Sequence, residues 1–186
     1  MAKLRLILLD FDGTLVDTRQ ANAAAYIETL AEIGITITTE EYLSRFFGVR
    51  CMEFMRMVGV TDETLIKQLR QRKVELYPKH FDSVVLNEPL WNWCKMMRSM
   101  GCKVWIVSTG HIDNITNVMQ YLMLGHGIDG IISGDDVAQA KPAPDAFLLA
   151  MEREGVTPSE TIIFEDSEVG LEAARRSGAT YVKVEL

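Results

Sequence analysis

A chain of 186 residues is long enough for one domain with a substantial core, or for a core with a small insertion. Its 48% hydrophobic and 24% charged content is that of an ordinary globular protein, and a net charge of −7 argues against nucleic acid or an anionic membrane as the main partner. The apolar run at residues 6–9 is far too short to span a bilayer. Lys3 and Arg5 are followed by neither a long apolar region nor a small-residue cleavage site, so no signal peptide is expected. Cys51, Cys94 and Cys102 contain no CxxC spacing and suggest neither a disulfide framework nor a zinc site. The expected setting is a reducing cytoplasm, and the expected state a monomer or weak homo-oligomer.

Residues 4–9 are apolar apart from Arg5 and do not alternate, which predicts a strand buried on both faces of a parallel sheet. From Thr18 the period becomes helical, with Ala21, Ala24, Ala25, Ile27, Leu30 and Ala31 on one stripe that ends at Gly34. Thr38 and the acids after it open a second helix stopping near Gly48; residues 51–58 and 62–77 predict two more, the last ending at Pro78. No strand is predicted between Thr18 and Phe81. Beyond that point strands are predicted at 104–107, 128–132, 161–164 and 180–184. Helices are predicted at 89–100, 112–124, 145–154 and 169–177. This alternation defines an α/β fold, a doubly wound parallel sheet of about five strands, whose ligands bind at the carboxyl ends of the strands.

The polar residues gather at those ends. Asp10 and Asp12 follow the first strand, Ser108 and Thr109 the second, Lys141 precedes the helix after the third, and Glu165 with Asp166 ends the fourth. Carboxylates brought together on one edge repel one another unless a hard cation is present, and such oxygen donors suit Mg²⁺, which binds phosphate as well. Lys141 and the Ser108 hydroxyl offer a charge and a donor to phosphoryl oxygens. No GxxxxGK[ST] or GxGxxG loop occurs.

"DFDGTLVDT", the "VST" after a strand, "KPAPD" and "FEDSEVGLEAA" resemble, in order and spacing, the four motifs of the haloacid dehalogenase-like hydrolase superfamily. The subgroup resembled contains small-metabolite phosphatases and β-phosphoglucomutases. The resemblance implies a Rossmann-like core of residues 1–17 and 82–186 with an inserted all-helical cap of residues 18–81, hinged near 16–17 and 80–82. It also implies an aspartyl-phosphate on Asp10, acid–base work by Asp12, and a phosphoryl group held by Ser108, Thr109 and Lys141. Mg²⁺ would be bound by Asp10, Asp12, Glu165 and Asp166.

"FFGVR" resembles the subgroup's specificity loop and makes Arg50 the expected substrate contact in the cap. Asn22 departs from the mutases, which carry histidine there. His111 is close enough to the Ser108 loop to touch a substrate but reads more simply as a helix start. The expected function is a Mg²⁺-dependent phosphatase acting on a small phosphorylated metabolite such as a sugar phosphate, phosphoglycolate or a nucleoside monophosphate. The alternatives are a β-phosphoglucomutase-like isomerase and a non-catalytic phosphometabolite-binding protein.

Overall fold

The computed structural model describes residues 3–186. Strand β1 (Leu6–Leu9) is buried along its whole length. Ile7 and Leu9 enter one apolar cluster and Leu6 and Leu8 another. A strand with both faces covered has to be central, which is why its sequence shows no alternation. It lies between β4 (Lys103–Val107) and β6 (Thr161–Glu165), with β5 (Gly130–Ile132) and β7 (Thr180–Lys183) at the two edges. The order is β5-β4-β1-β6-β7 and every pairing is parallel. Helices α5 (Glu88–Ser99) and α6 (Ile112–Tyr121) cover one face through Trp91, Cys94, Ile115 and Val118. Helices α7 (Asp145–Glu154) and α8 (Glu168–Ser177) cover the other through Phe147, Ala150, Ala173 and Ala174. The last strand, β7, lies at an edge, and all four of its residues are exposed.

Between β1 and α5 the chain is helical: α1 (Arg19–Ala31), α2 (Thr39–Arg45), α3 (Cys51–Met57) and α4 (Glu63–Leu76). Thr38 and Asp62 cap α2 and α4 by accepting from the amides of Glu41 and Leu65, satisfying helix-end donors that would otherwise be unpaired. These helices enclose an apolar cluster of their own, which includes Leu30, Phe46, Phe54, Met55 and Ile66. Helix α1 belongs to both parts: Ala23 and Leu30 face the helical cluster, whereas Ala21 and Ala25 pack into the sheet's core.

Two features lie beyond the sequence reading. Helix α4 ends just before Pro78, as expected, and the chain goes on as a 3₁₀ turn over Tyr77–Ser83. In addition, β2 (Val16–Asp17) and β3 (Val85–Leu86) pair antiparallel, so the two strands leading into and out of the helical segment run side by side. Two-residue strands are too short for any periodicity to register.

Candidate active site

The register of the parallel sheet assembles the site. Leu9 pairs with Ile106 on one side and Phe164 on the other, so Asp10, Ser108 and Glu165 emerge together at the carboxyl edge. Lys141 Nζ reaches into this group. It donates to Asp10 Oδ1 and Glu165 Oε2, each at 2.6 Å, and to the Val107 carbonyl at 3.1 Å. The Lys141 side chain is 4% exposed. Burial by itself would discharge it, but Asp10 and Glu165 outweigh that and hold its ammonium above the ordinary lysine range.

Glu165 is fixed on its other oxygen, Oε1, by the amides of Asp166 and Ser167, both at 3.2 Å, and by the Ser167 hydroxyl at 2.9 Å. Asp166 accepts from Thr14 Oγ1 at 3.0 Å. Two glycines make this packing possible. Gly13, at φ +97°, and Gly170 lie so close to the Asp166 and Glu165 carboxylates that a Cβ on either would overlap them.

Asp10, Glu165 and Asp166 each place a carboxylate oxygen within 4.8 Å of the other two. Burial pushes the Asp10 carboxyl well above its ordinary range; the charges of Glu165 and Asp166 push the same way and Lys141 pulls back. Burial and then Glu165 raise Asp166 as well. Three carboxylates against one ammonium leave negative charge uncompensated in a buried place. That is the environment a hard divalent cation neutralises, and the donor set is all oxygen, so the residues present fit Mg²⁺.

Asp12 sits apart from that cluster. Its Oδ1 accepts from the Thr18 hydroxyl and, at 3.2 Å, from Asn22 Nδ2. Its Oδ2 faces the Ser108 loop: a methyl placed on Gly110 would lie 3.4 Å from this oxygen and 3.2 Å from Ser108 Oγ. Ser108 is buried, and its Oγ accepts the Gly110 amide at 3.0 Å, while Thr109 follows half-buried in the same turn. Thus Asp10, Asp12, Ser108, Lys141, Glu165 and Asp166 converge on one edge, although up to 156 positions separate them in the chain.

Arg50, expected as a substrate contact, spans from the helical segment to the loop after β5. Its guanidinium donates to the carbonyls of Gly134 at 3.3 Å, Val137 at 3.4 Å and Ala138 at 3.5 Å. Arg70 crosses in the same direction and donates to Asp135 at 2.7 Å. The Nε atoms of both arginines are buried with no acceptor among the described residues. His111 caps α6, with Nδ1 accepting the Asp113 amide at 3.2 Å.

One polar residue at this site escaped the sequence reading. Lys73, on α4, is 1% exposed and donates to Asn22 Oδ1 at 2.8 Å. Its Nζ lies 3.4 Å from the centre of the Tyr77 ring and 5.2 Å from that of Tyr26. Burial drives it down to about 7, against the opposing pull of Asp12 and Cys51. The available signal was periodicity. Lys73 stands on the stripe of Ile66, Leu69 and Leu76, where an apolar residue belongs.

The sequence model of the haloacid dehalogenase-like hydrolases matches residues 7–184, and the chain belongs to that family. It is 29% identical over 182 residues to the fructose-1-phosphate phosphatase YqaB of Escherichia coli (strain K12), covering 97% of this chain and 96% of that protein. To a phosphoglycolate phosphatase of Aquifex aeolicus (strain VF5) it is 28% identical over 182 residues, covering 94% and 82% of the two chains. The crystal structure of CbbY from Rhodobacter sphaeroides in complex with phosphate has the same fold, with a TM-score of 0.89 at 24% identity over 98% of this chain and 87% of that one. No helix among the described residues is long and apolar enough to cross a membrane.

Proposed function

We propose that this hydrolase is a Mg²⁺-dependent phosphatase that cleaves a small phosphorylated metabolite through an aspartyl-phosphate on Asp10. The observation that carries the reading is the buried Lys141 ammonium bridging Asp10 and Glu165 at 2.6 Å, beside Asp166 and the Ser108 turn. Lys141 engages Asp10 Oδ1 and leaves Oδ2 to attack phosphorus. The phosphorus–oxygen bond to the leaving alcohol breaks as the bond to Oδ2 forms, and Asp12 Oδ2 delivers a proton to the departing oxygen. The same carboxylate then takes a proton from water as that water attacks the phosphoaspartate, which releases inorganic phosphate and restores Asp10. Ser108, Thr109 and Lys141 hold the transferring group by donating to its oxygens. Mg²⁺, held by Asp10, Glu165, Asp166 and the Asp12 main-chain carbonyl, would neutralise the phosphate charge that otherwise repels the nucleophile.

On this reading residues 1–17 and 82–186 are the catalytic core and residues 18–81 a cap, with the β2–β3 ribbon carrying both crossings. A cap clasped to the core by Arg50 and Arg70 suits a small substrate, of the kind named for the Escherichia coli and Aquifex relatives. Asn22 counts against the isomerase, because the mutases carry histidine there, and its side chain here bonds Asp12, Thr18 and Lys73. Phosphate release from p-nitrophenyl phosphate tests the reading. It is expected with Mg²⁺, is stopped by EDTA, and falls by about 10⁴-fold or more in Asp10→Asn, which removes the nucleophile. Undiminished turnover in excess EDTA, or substantial activity in that variant, would overturn it.

A further inference from the structure

A cleft of about 460 Å³ opens at the amino edge of the sheet, between the end of α5 and the loop that joins α6 to β5. We propose that this cleft is a second binding site, for a small organic anion. The planar apolar body of the ligand lies on Trp91 and Met123, and its charge meets Lys95. The proposal is independent of the phosphatase reading and goes beyond it. Lys103 and Ser108 stand at the two ends of β4, about 16 Å apart at 3.3 Å per residue, so a ligand here is remote from the carboxyl edge.

Charge selects an anion. Lys95, Arg98 and His126 line the cleft, and Lys103 lines a smaller one that shares Arg98 with it. Among the described residues, the one carboxylate lining either is Asp129, which is already engaged by Arg98 at 3.0 Å and by Lys103 at 3.1 Å. Lys95 is exposed and makes neither an ion pair nor a side-chain hydrogen bond with a described residue. On a chain of net charge −7 this is a local excess of positive charge, which concentrates anions.

The walls select an apolar body. Trp91 lines the cleft and is 8% exposed, yet its indole N–H donates to no described residue, whereas that of Trp105 reaches Glu154 at 2.7 Å. A buried indole ordinarily has an acceptor, and a bound anion can supply one. Gly127 lies against the Trp91 ring so closely that a Cβ would overlap it.

Met123, also in the lining, is an independent sign. Helix α6 closes with the Leu124 amide on the Met119 carbonyl at 2.9 Å and the Met123 amide on the Gln120 carbonyl at 3.2 Å. The left-handed position of that closure is usually glycine. Here it is Met123, at φ +55°, with its side chain 87% exposed. The conformation costs free energy that an exposed side chain does nothing to offset, and a ligand in the cleft would cover that side chain. The volume suits a body of one or two fused rings.

The test is calorimetric titration with naphthalene-2-sulfonate, an aryl anion with no phosphoester to cleave. Mg²⁺ and excess inorganic phosphate are present, so that the carboxyl edge is occupied. One site is expected, and the neutral naphthalene-2-sulfonamide should bind about 10-fold more weakly, the usual worth of a bond to a charged group. Lys95→Glu should weaken the sulfonate by about 10-fold or more, and Lys95→Ala carries the same comparison with less disturbance. Met123→Gly should weaken it about 3-fold while raising Tm by about 1–4 °C, because glycine takes the left-handed position without strain. In proton–nitrogen correlation spectra the Trp91 indole signal and the amides of residues 125–127 should move, and those of Thr109 and Gly110 should not.

No detectable binding of the sulfonate, or equal binding of the sulfonamide, would overturn the proposal. So would Lys95 variants that bind as the wild type does, or shifts centred on the Ser108 turn.

Discussion

Lys141 and Lys73 are both withdrawn from water, while the other described lysines are exposed, and the two meet opposite fates. Lys141 lies between two carboxylates at 2.6 Å and is held charged above the ordinary lysine range. Lys73 has an amide oxygen and two aromatic faces and is pushed down to about 7. Burial is common to both, so burial does not decide the outcome. What decides it is whether the neighbours carry a compensating charge or only a dipole. The first lysine offsets the charge of Asp10 and Glu165. The second has no such partner, and only an amide dipole and two ring faces offset its burial.

The largest effect is expected where the compensation is strongest. On the proposed mechanism Lys141→Met should lower kcat/KM by about 10³-fold or more, since it would remove both a phosphoryl donor and the counter-charge of Asp10. It should also destabilise the metal-free protein at pH 7 by about 3–5 kcal/mol, the usual result of leaving buried charges unpaired. The deficit should shrink toward pH 5 as Asp10 and Asp166, whose pKa values are already raised, become protonated. Urea unfolding at the two pH values measures this. A variant as stable as the wild type at pH 7 would break the comparison.

Lys73→Met should behave in the opposite sense. The folded pKa near 7 lies below the unfolded value of about 10.4, so the native state holds fewer protons in between and wild-type stability rises with pH across that window. The penalty is fully present below pH 7. The variant should therefore be the more stable protein at pH 6, by about 1–3 kcal/mol once the lost amide bond and ring contacts are subtracted, and the advantage should vanish by about pH 10. Denaturant titrations at pH 6, 8 and 10 read the trend. A variant that is less stable at pH 6 would show that the amide and rings compensate the charge fully.

Arg50→Ala sharpens a smaller contrast, that between the clasp and the chemistry. The substitution removes three long bonds to the carbonyls of Gly134, Val137 and Ala138 and one buried unpartnered N–H. It should raise KM about 3–10-fold for a sugar phosphate that the enzyme hydrolyses and barely change p-nitrophenyl phosphate. Equal damage to both would place Arg50 in the phosphoryl site or in the fold.

The smallest effect is expected at Asp129, on the surface away from the site. Burial would raise its carboxyl, but Arg98, the Val104 amide and Lys103 outweigh that and hold it down to about 2. A carboxylate with a lowered pKa contributes stability above its unfolded value of about 3.9 and loses it as pH falls through about 2. Asp129→Asn should lower Tm slightly at pH 7 and flatten the acid limb between pH 4 and pH 2. An unchanged acid limb would mean that this exposed ion cluster contributes nothing measurable.

Most of this architecture was legible in the order of residues. The four-aliphatic run before Asp10, the alternation of strand and helix after Phe81 and the acids at strand ends implied a parallel sheet with polar residues gathered on one edge. A strand's burial on both faces, a helix's period and a motif's spacing are local properties. Contacts across the chain were not legible. The β2–β3 ribbon joins residues 68 or more positions apart through two-residue strands, too short to carry a pattern. Arg50 was singled out, but its partners in the loop after β5 lie more than 80 positions away. Lys73 was hidden inside a helix, where a lysine is ordinarily a solvated side chain.

The sequence by itself therefore determined the family, the layered α/β design and the identity of the acids and the lysine at the strand ends, because each depends on near neighbours or on strands that must end on one edge. Only the tertiary structure decided how those groups are charged and aimed. Lys141 is drawn up by the carboxylates it meets and Lys73 driven down by its burial, and Asp12 accepts from an amide on α1 that in turn accepts from Lys73 on α4. Electrostatic and hydrogen-bonding energies depend on distance and burial, and neither is set by separation along the chain.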